Sequence, residues 1–255
     1  MTRDEMLMYP GEYRAMFEME DTYWWYVGIH TFLQGLLEKY LPTAAREVKI
    51  LDAGCGTGAN LIALHTRGNA FGIDLSAEAL GLSRARGIAA DHLLLASVIE
   101  PAFRDKIFDL AISFDVICNI QDDVAAFAEI RRTLQPNGRL IVQLPAYRFL
   151  WSAHDVAVGH KHRYTARDLG AKMEGAGFRI EKLTYLNMTL FPFIALLRFA
   201  RRPAASNGRA HSDLTPLPHS VNSVLTRLFS AEMRVAPRHR FPYGISLLAV
   251  ARRVE

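Results

Sequence analysis

A chain of 255 residues that is 50% hydrophobic can bury a full core, so a folded globular enzyme is the default and a disordered or fibrous protein is excluded. Two cysteines, Cys55 in a glycine-rich run and Cys118 at the end of an apolar one, make no disulfide framework, and a reducing cytoplasm is the expected compartment. The net charge of +4 hides an asymmetry: residues 1–50 hold five Lys/Arg against eight Asp/Glu, whereas residues 196–255 hold ten Arg against three acids. Such a basic end suits an anionic substrate or an acidic lipid surface, or is simply solvated; aromatic RNP runs and GXXG loops are absent, so nucleic acid ranks last as a partner.

In chain order, the opening residues carry acids where a secretory leader would hold an apolar core, so no targeting peptide is expected. Tyr9 to Tyr40 is dense in aromatics, with Tyr13, Phe17, Tyr23, Trp24, Trp25, Tyr26 and Phe32 ahead of the first strand. Lys49 to Ser76 then reads KILDAGCGTGANLIALHTRGNAFGIDLS. Its order is strand, glycine loop, helix, strand, and both strands run into a carboxylate, Asp52 and Asp74. Glycines let a ligand approach bare amides, the next helix aims unpaired N–H groups at it, and an acid ending the second strand can accept hydrogen bonds from ribose hydroxyls. A P-loop would need Gly-Lys-Ser/Thr, and a dinucleotide fingerprint would need glycine where Ala59 stands. The loop therefore suits a nucleoside ligand without a pyrophosphate.

LDAGCGTG followed by FGIDLS resembles the first two motifs of the class I S-adenosylmethionine-dependent methyltransferases, and YWWYVG and PAYRFLWSAHD...GHKHRYT resemble segments of a bacterial branch of that family. The resemblance implies that Asp52, Gly54, Cys55, Gly56 and Gly58 hold the methionine part of S-adenosyl-L-methionine and that Asp74, with Leu75, holds the ribose. It also implies an N-terminal helical lid over residues 1–45, with Trp24, Trp25 and Tyr26 near the site and Trp25 on the cofactor. Aromatic faces there would exclude water and favour a sulfonium cation.

After the second strand, Ser76 caps a helix to about Arg86, and strand three is expected over His92 to Ala96. Where many relatives place an aspartate for the adenine amino group, this chain has Ser97 followed by Val98, and both join the expected cofactor set. Strand four, Phe108 to Phe114, ends at Asp115, with Phe114 the last expected cofactor contact. Ile117-Cys118-Asn119 stands where relatives often read Leu-Glu-His, so a histidine base at that point is ruled out. Asp122 caps a helix that stops at Pro136-Asn137-Gly138, and strand five follows as Arg139 to Leu144.

The loop after strand five places Tyr147, Trp151, His154, Asp155, His160, His162 and Tyr164 on the edge where open α/β sheets bind ligands. The histidine spacing matches no common zinc site, and no metal is expected. Histidine suits proton removal near neutral pH. His154, with Asp155 beside it, is the first candidate for base or acceptor orienter; His160 is the second, and Tyr147 and Tyr164 are candidate pocket walls. Thr165 opens the next helix, Phe178 to Tyr185 reads as strand six, and Gly244 to Arg252 as the last strand. Residues 186–243 between them read as a helical insert. It starts with an apolar run, LNMTLFPFIALLRFA, too short and interrupted to span a bilayer. A mobile loop over 201–219 and a helix over Val221 to Ala231 complete it.

The expected architecture is one α/β domain over 1–255: a Rossmann-like seven-stranded, mostly parallel sheet with an antiparallel last strand, N-terminal helices and the helical insert. The expected function is methyl transfer from S-adenosyl-L-methionine to a small-molecule or lipid- or sugar-linked metabolite, with anionic and aromatic acceptors both compatible and secondary metabolism a natural setting. The alternative is a cofactor-binding module without transfer that serves a partner or a membrane. Peripheral membrane contact by the apolar run, and a monomer or homodimer, are open at this point.

Overall fold

The computed structural model describes residues 8, 9, 11–41, 46–200 and 213–254. Two helices, α1 (Glu12–Met19) and α2 (Trp24–Tyr40), precede β1 (Lys49–Ala53), α3 (Ala59–His65), β2 (Asn69–Asp74), α4 (Ala77–Ala85) and β3 (Leu93–Leu95). Then follow β4 (Phe108–Phe114), α5 (Asp123–Thr133), β5 (Leu134–Pro145), the short α6 (Ala153–Ala157), α7 (Ala166–Gly175) and β6 (Phe178–Leu186). The insert holds α8 (Phe191–Ala200) and α9 (His219–Val235), and β7 (Ser246–Arg253) closes the fold.

The seven strands form one sheet in the order β3-β2-β1-β4-β5-β7-β6. All neighbouring pairs up to β4–β5 are parallel, and β7 runs antiparallel to both β5 and β6. Strands read as continuous apolar runs because both faces are covered. Alternate residues go to opposite faces, so Ile50, Ile112, Ile141 and Leu248 meet α2, α3 and α9, while Leu51, Ala111, Val142 and Ala249 share the other core with residues of α5 and α7. The strand order reverses between β1 and β4, and the crevice at the carboxyl edge of such a reversal is where this class of sheet binds ligands.

Some boundaries move. Pro136-Asn137-Gly138 lies inside β5 as an irregularity opposite Phe108 to Leu110, with Asn137 at φ 64°, so the strand is longer than its turn signal implies. Strand three is shorter than expected, and α9 starts earlier and runs further than Val221 to Ala231. Of the loop expected over 201–219, residues 201–212 lie outside the described residues.

Part of the basic C-terminal end is consumed within the sheet, where Glu181 accepts from Arg139 Nε at 2.8 Å and Arg252 Nε at 2.5 Å. The N-terminal helices do more than cover the site. Ile29, Phe32, Leu33, Leu36, Leu37 and Tyr40 recur at helical spacing and make α2 a core layer. It lies so close to α9 that a Cβ on Gly28 would sit 2.1 Å from the Phe229 ring, which stacks on Trp25 at 5.0 Å. The cavity-facing part of this region comes down to α1 and the first turns of α2. Among the described residues no helix is long and apolar enough to cross a membrane.

Candidate active site

At the carboxyl edge the chain leaves β1 through Gly54, whose φ of 90° and lack of a side chain are both required, since a Cβ would meet Val116 at 2.2 Å. Gly54 and Cys55 donate their N–H groups to Ile73 O, which locks the loop onto the end of β2. Asp74 accepts from Gly56 N at 2.9 Å and from Ser76 N at 2.8 Å, so its carboxylate is held at the wall of a cavity of about 330 Å³. Gly54, Cys55, Gly56, Asp74, Leu75, Val98, Phe114 and Trp25 all line that cavity.

Asp52 is 1% exposed, and its Oδ2 has no hydrogen-bond partner among the described residues. Burial first, then the charges of Asp74 and Glu20, push its pKa up to about 8. This orphaned carboxyl oxygen lies two residues before the glycine loop, but Asp52 itself stands behind the cavity wall and does not line it. The folded pKa exceeds the unfolded one, so the stability it contributes is complete below the ordinary carboxylate range and is lost as pH rises through about 8. Thermal melts of the ligand-free protein are therefore expected to lose stability over that window. Asp52→Asn is expected to flatten the slope; an equally steep profile in the variant would assign the effect to other groups.

α1 is clamped over this loop. The Glu20 carboxylate accepts from Thr57 Oγ1 and from Arg86 Nη2, and Arg86 also bonds Asp21 and Phe17 O and lies 4.6 Å over the Phe17 ring. Tyr13 and Met16 thereby join the cavity wall.

Besides Asp52, two more expected cofactor residues stand off the cavity wall. Gly58 is the left-handed N-cap of α3 and faces Ser83, so it shapes the turn and does not line the cavity. Ser97 turns its hydroxyl to Ile99 N at 3.0 Å, and the flanking Ala96 and Val98 form the wall instead.

Beyond β4 lies a more polar half. Ser152 and Asp155 form a capping box on α6, and the buried Asp155 also takes His160 Nδ1 at 2.8 Å and Arg163 Nε at 2.6 Å. Burial alone would raise the Asp155 pKa, but the His160 hydrogen bond and the Arg163 guanidinium outweigh it and hold the carboxyl well below the usual range. An ionised Asp155 receives the Nδ1 proton of His160 and leaves Nε2 as the ring's acceptor. His160 lines the cavity.

The expected pairing of His154 with Asp155 is corrected: Asp155 belongs to His160 and Arg163, is fully buried, and does not line the cavity. His154 lines the cavity but accepts Asp213 N–H on Nδ1 at 3.1 Å, which places its proton on Nε2. Burial pushes its pKa down to about 4, so near neutral pH it is a neutral donor, suited to orienting an acceptor. Tyr147 also needs correction. Its ring stacks on Tyr185 at 5.0 Å and Phe149 at 5.2 Å, outside the cavity. Tyr164 is buried with its hydroxyl on Asp123, and His162 turns to Gln121 O.

Two further residues, Asp115 and Asn187, line the cavity outside the expected site set. Asp115, at φ 54°, accepts from Gln143 Nε2 at 3.0 Å, and burial raises its pKa to about 6 against the opposing charges of His160 and Arg163. Asn187 directly follows β6 at φ 60°, fully buried, with neither amide atom partnered among the described residues. The N–H groups of Met188 and Thr189 both bind Glu232 of α9 and hold that turn. A strained backbone and an unsatisfied buried amide persist where function uses them. The sequence signal for Asn187 was only a polar break in an apolar run.

A methyltransferase-domain family model matches residues 51–142. A probable S-adenosylmethionine-dependent methyltransferase of Mycolicibacterium smegmatis is 31% identical over 138 residues, 52% of this chain and 52% of that protein. The chain spans about half or less of the length of the curated relatives it matches. Among solved structures, a chain of the complex between the Haloferax volcanii Trm112 methyltransferase activator and a methyltransferase aligns with a TM-score of 0.61 at 18% identity, covering 100% of both chains. Geranyl diphosphate C-methyltransferase from Streptomyces coelicolor, solved with geranyl diphosphate and S-adenosyl-L-homocysteine, aligns with a TM-score of 0.57 at 18% identity over 87% of this chain and 77% of that one. These two likenesses are of fold.

Proposed function

We propose that this chain is a class I S-adenosylmethionine-dependent methyltransferase that methylates a hydroxyl oxygen of a small-molecule or lipid- or sugar-linked acceptor, with His160 as the base. The observation that carries this reading is the Asp155–His160 pair, with the His160 ring in the wall of the same cavity as the glycine loop. When bound, S-adenosyl-L-methionine supplies an electrophilic methyl group, so the protein's work is alignment and proton removal.

The glycine loop and Asp74 hold the nucleoside, with Asp52 buried behind the loop. His160 Nε2 accepts the hydroxyl proton as the oxygen becomes a nucleophile, and Asp155 stabilises the resulting imidazolium. Arg163 keeps Asp155 ionised and in place. His154 Nε2–H and the Asn187 amide orient the acceptor's remaining polar groups. Trp24, Trp25 and Tyr26, with α1 as a lid, keep water out.

The experiment is methyl transfer from isotopically labelled S-adenosyl-L-methionine to hydroxylated metabolite pools of the host, read as S-adenosyl-L-homocysteine release and by NMR of the labelled methyl. A methoxy signal is the expected result. Cofactor binding by calorimetry without turnover on any pool would sink the enzyme reading, and a methyl group on nitrogen or carbon would sink the hydroxyl assignment.

A further inference from the structure

The insert between β6 and β7 presents two helix faces that the domain does not cover. On α8, Ile194 and Arg198 line the cavity, while Phe193, Leu196 and Phe199 are 62%, 67% and 66% exposed. At about 100° per residue these three share one stripe, opposite the two cavity residues. On α9, Val221, Val224, Leu228 and Val235 are 45%, 55%, 45% and 43% exposed and again fall on one stripe. Arg227 and Arg234, both exposed, flank it. The sole acid of α9, Glu232, is buried and binds the turn that leads into α8. Single exposed apolar residues are ordinary, but two amphipathic stripes, the one on α9 flanked by two arginines with no exposed acid on that helix, are not.

We propose that these faces of α8 and α9 dock the protein on an anionic lipid surface. Apolar side chains at the headgroup boundary with arginines beside them are the pattern by which interfacial helices bind acidic bilayers. The arginines decide against a second copy of the chain. A two-fold interface on the α9 stripe would bring Arg227 and Arg234 of both copies together with no exposed acid on α9 to neutralise them, whereas anionic headgroups supply that charge. Because α8 is also a cavity wall, docking would set the acceptor half of the site beside the bilayer; this consequence, unlike the docking itself, rests on the methyltransferase reading.

The test is flotation of the full chain with vesicles of equimolar phosphatidylglycerol and phosphatidylcholine, against vesicles of phosphatidylcholine alone. Flotation is expected on the anionic vesicles and is expected to weaken as salt is raised. The variant Leu196→Ser/Phe199→Ser/Leu228→Ser should lose most of the bound fraction. Arg227→Glu/Arg234→Glu should weaken partition to anionic vesicles roughly fivefold or more per arginine. All five side chains are exposed, and matched thermal melts establish that the variants fold. Absence of flotation on anionic vesicles, or flotation unchanged in either variant, overturns the proposal. So does a lipid-free dimer in sedimentation that the serine variant dissolves while vesicles bind neither protein. No cofactor is needed, so failure here leaves the methyl-transfer reading standing, and failure to find turnover leaves docking standing.

Discussion

Replacing His160 by asparagine is expected to lower methyl-transfer turnover by about 10²–10⁴-fold, the range over which a positioned general base contributes. Cofactor affinity should stay nearly unchanged, because the nucleoside is assigned to the glycine loop and Asp74 and not to the His160 ring. The asparagine is smaller, and its amide cannot take up the hydroxyl proton. Asp155→Asn should also impair turnover, since His160 would lose the carboxylate that fixes its tautomer. That second variant removes part of the α6 capping box and the partner of buried Arg163, so its melt must be compared with the parent. His154→Gln is expected to act chiefly on KM, because His154 serves as a neutral donor. Full turnover of the His160 variant at saturating acceptor would remove the base assignment.

Asp74→Ala is expected to weaken S-adenosyl-L-methionine binding by about 10²-fold or more, with hydrogen bonds to a charged group worth roughly 1.5–3 kcal/mol each. The carboxylate does two things at once. It accepts from Gly56 N and Ser76 N, which sets the glycine loop, and it faces the cavity where the ribose belongs. Calorimetry with S-adenosyl-L-homocysteine is the measurement, since it needs no acceptor. Because the inward face of the loop is also tied to Ile73 O through Gly54 and Cys55, the variant should still fold. Retention of parental affinity would mean that the ribose is held elsewhere, and the family-based placement of the nucleoside would fall with it.

The fold was legible because its signals are short-ranged. Apolar runs ending in Asp52, Asp74 and Asp115, separated by helical periods, lead directly to parallel strands whose carboxyl ends share an edge. The antiparallel last strand was likewise anticipated, and it pairs with both β5 and β6. The polar half of the cavity was only partly legible. Its residue types were in view within one loop, but their partners were not. Adjacent residues on a helix point about 100° apart, so His154 and Asp155 diverge within α6. The turn at Gly159, with φ 78°, folds His160 back so that its N–H reaches Asp155 O and its ring the carboxylate. Tyr147, equally prominent in the sequence, is carried outward by its own left-handed backbone into an aromatic stack.

By itself, then, the sequence determined the sheet, the glycine loop and the acids at its strand ends, because backbone freedom at glycine and alternation along a strand act within a few residues. Tertiary structure alone decided which histidine carries the carboxylate, that Asn187 has no partner among the described residues in the cavity wall, that α2 is a core layer, and that one face of α8 lines the cavity while the other meets solvent. Each of those outcomes depends on contacts between elements distant in the chain, such as Glu232 of α9 gripping the turn after β6, and no local pattern encodes them.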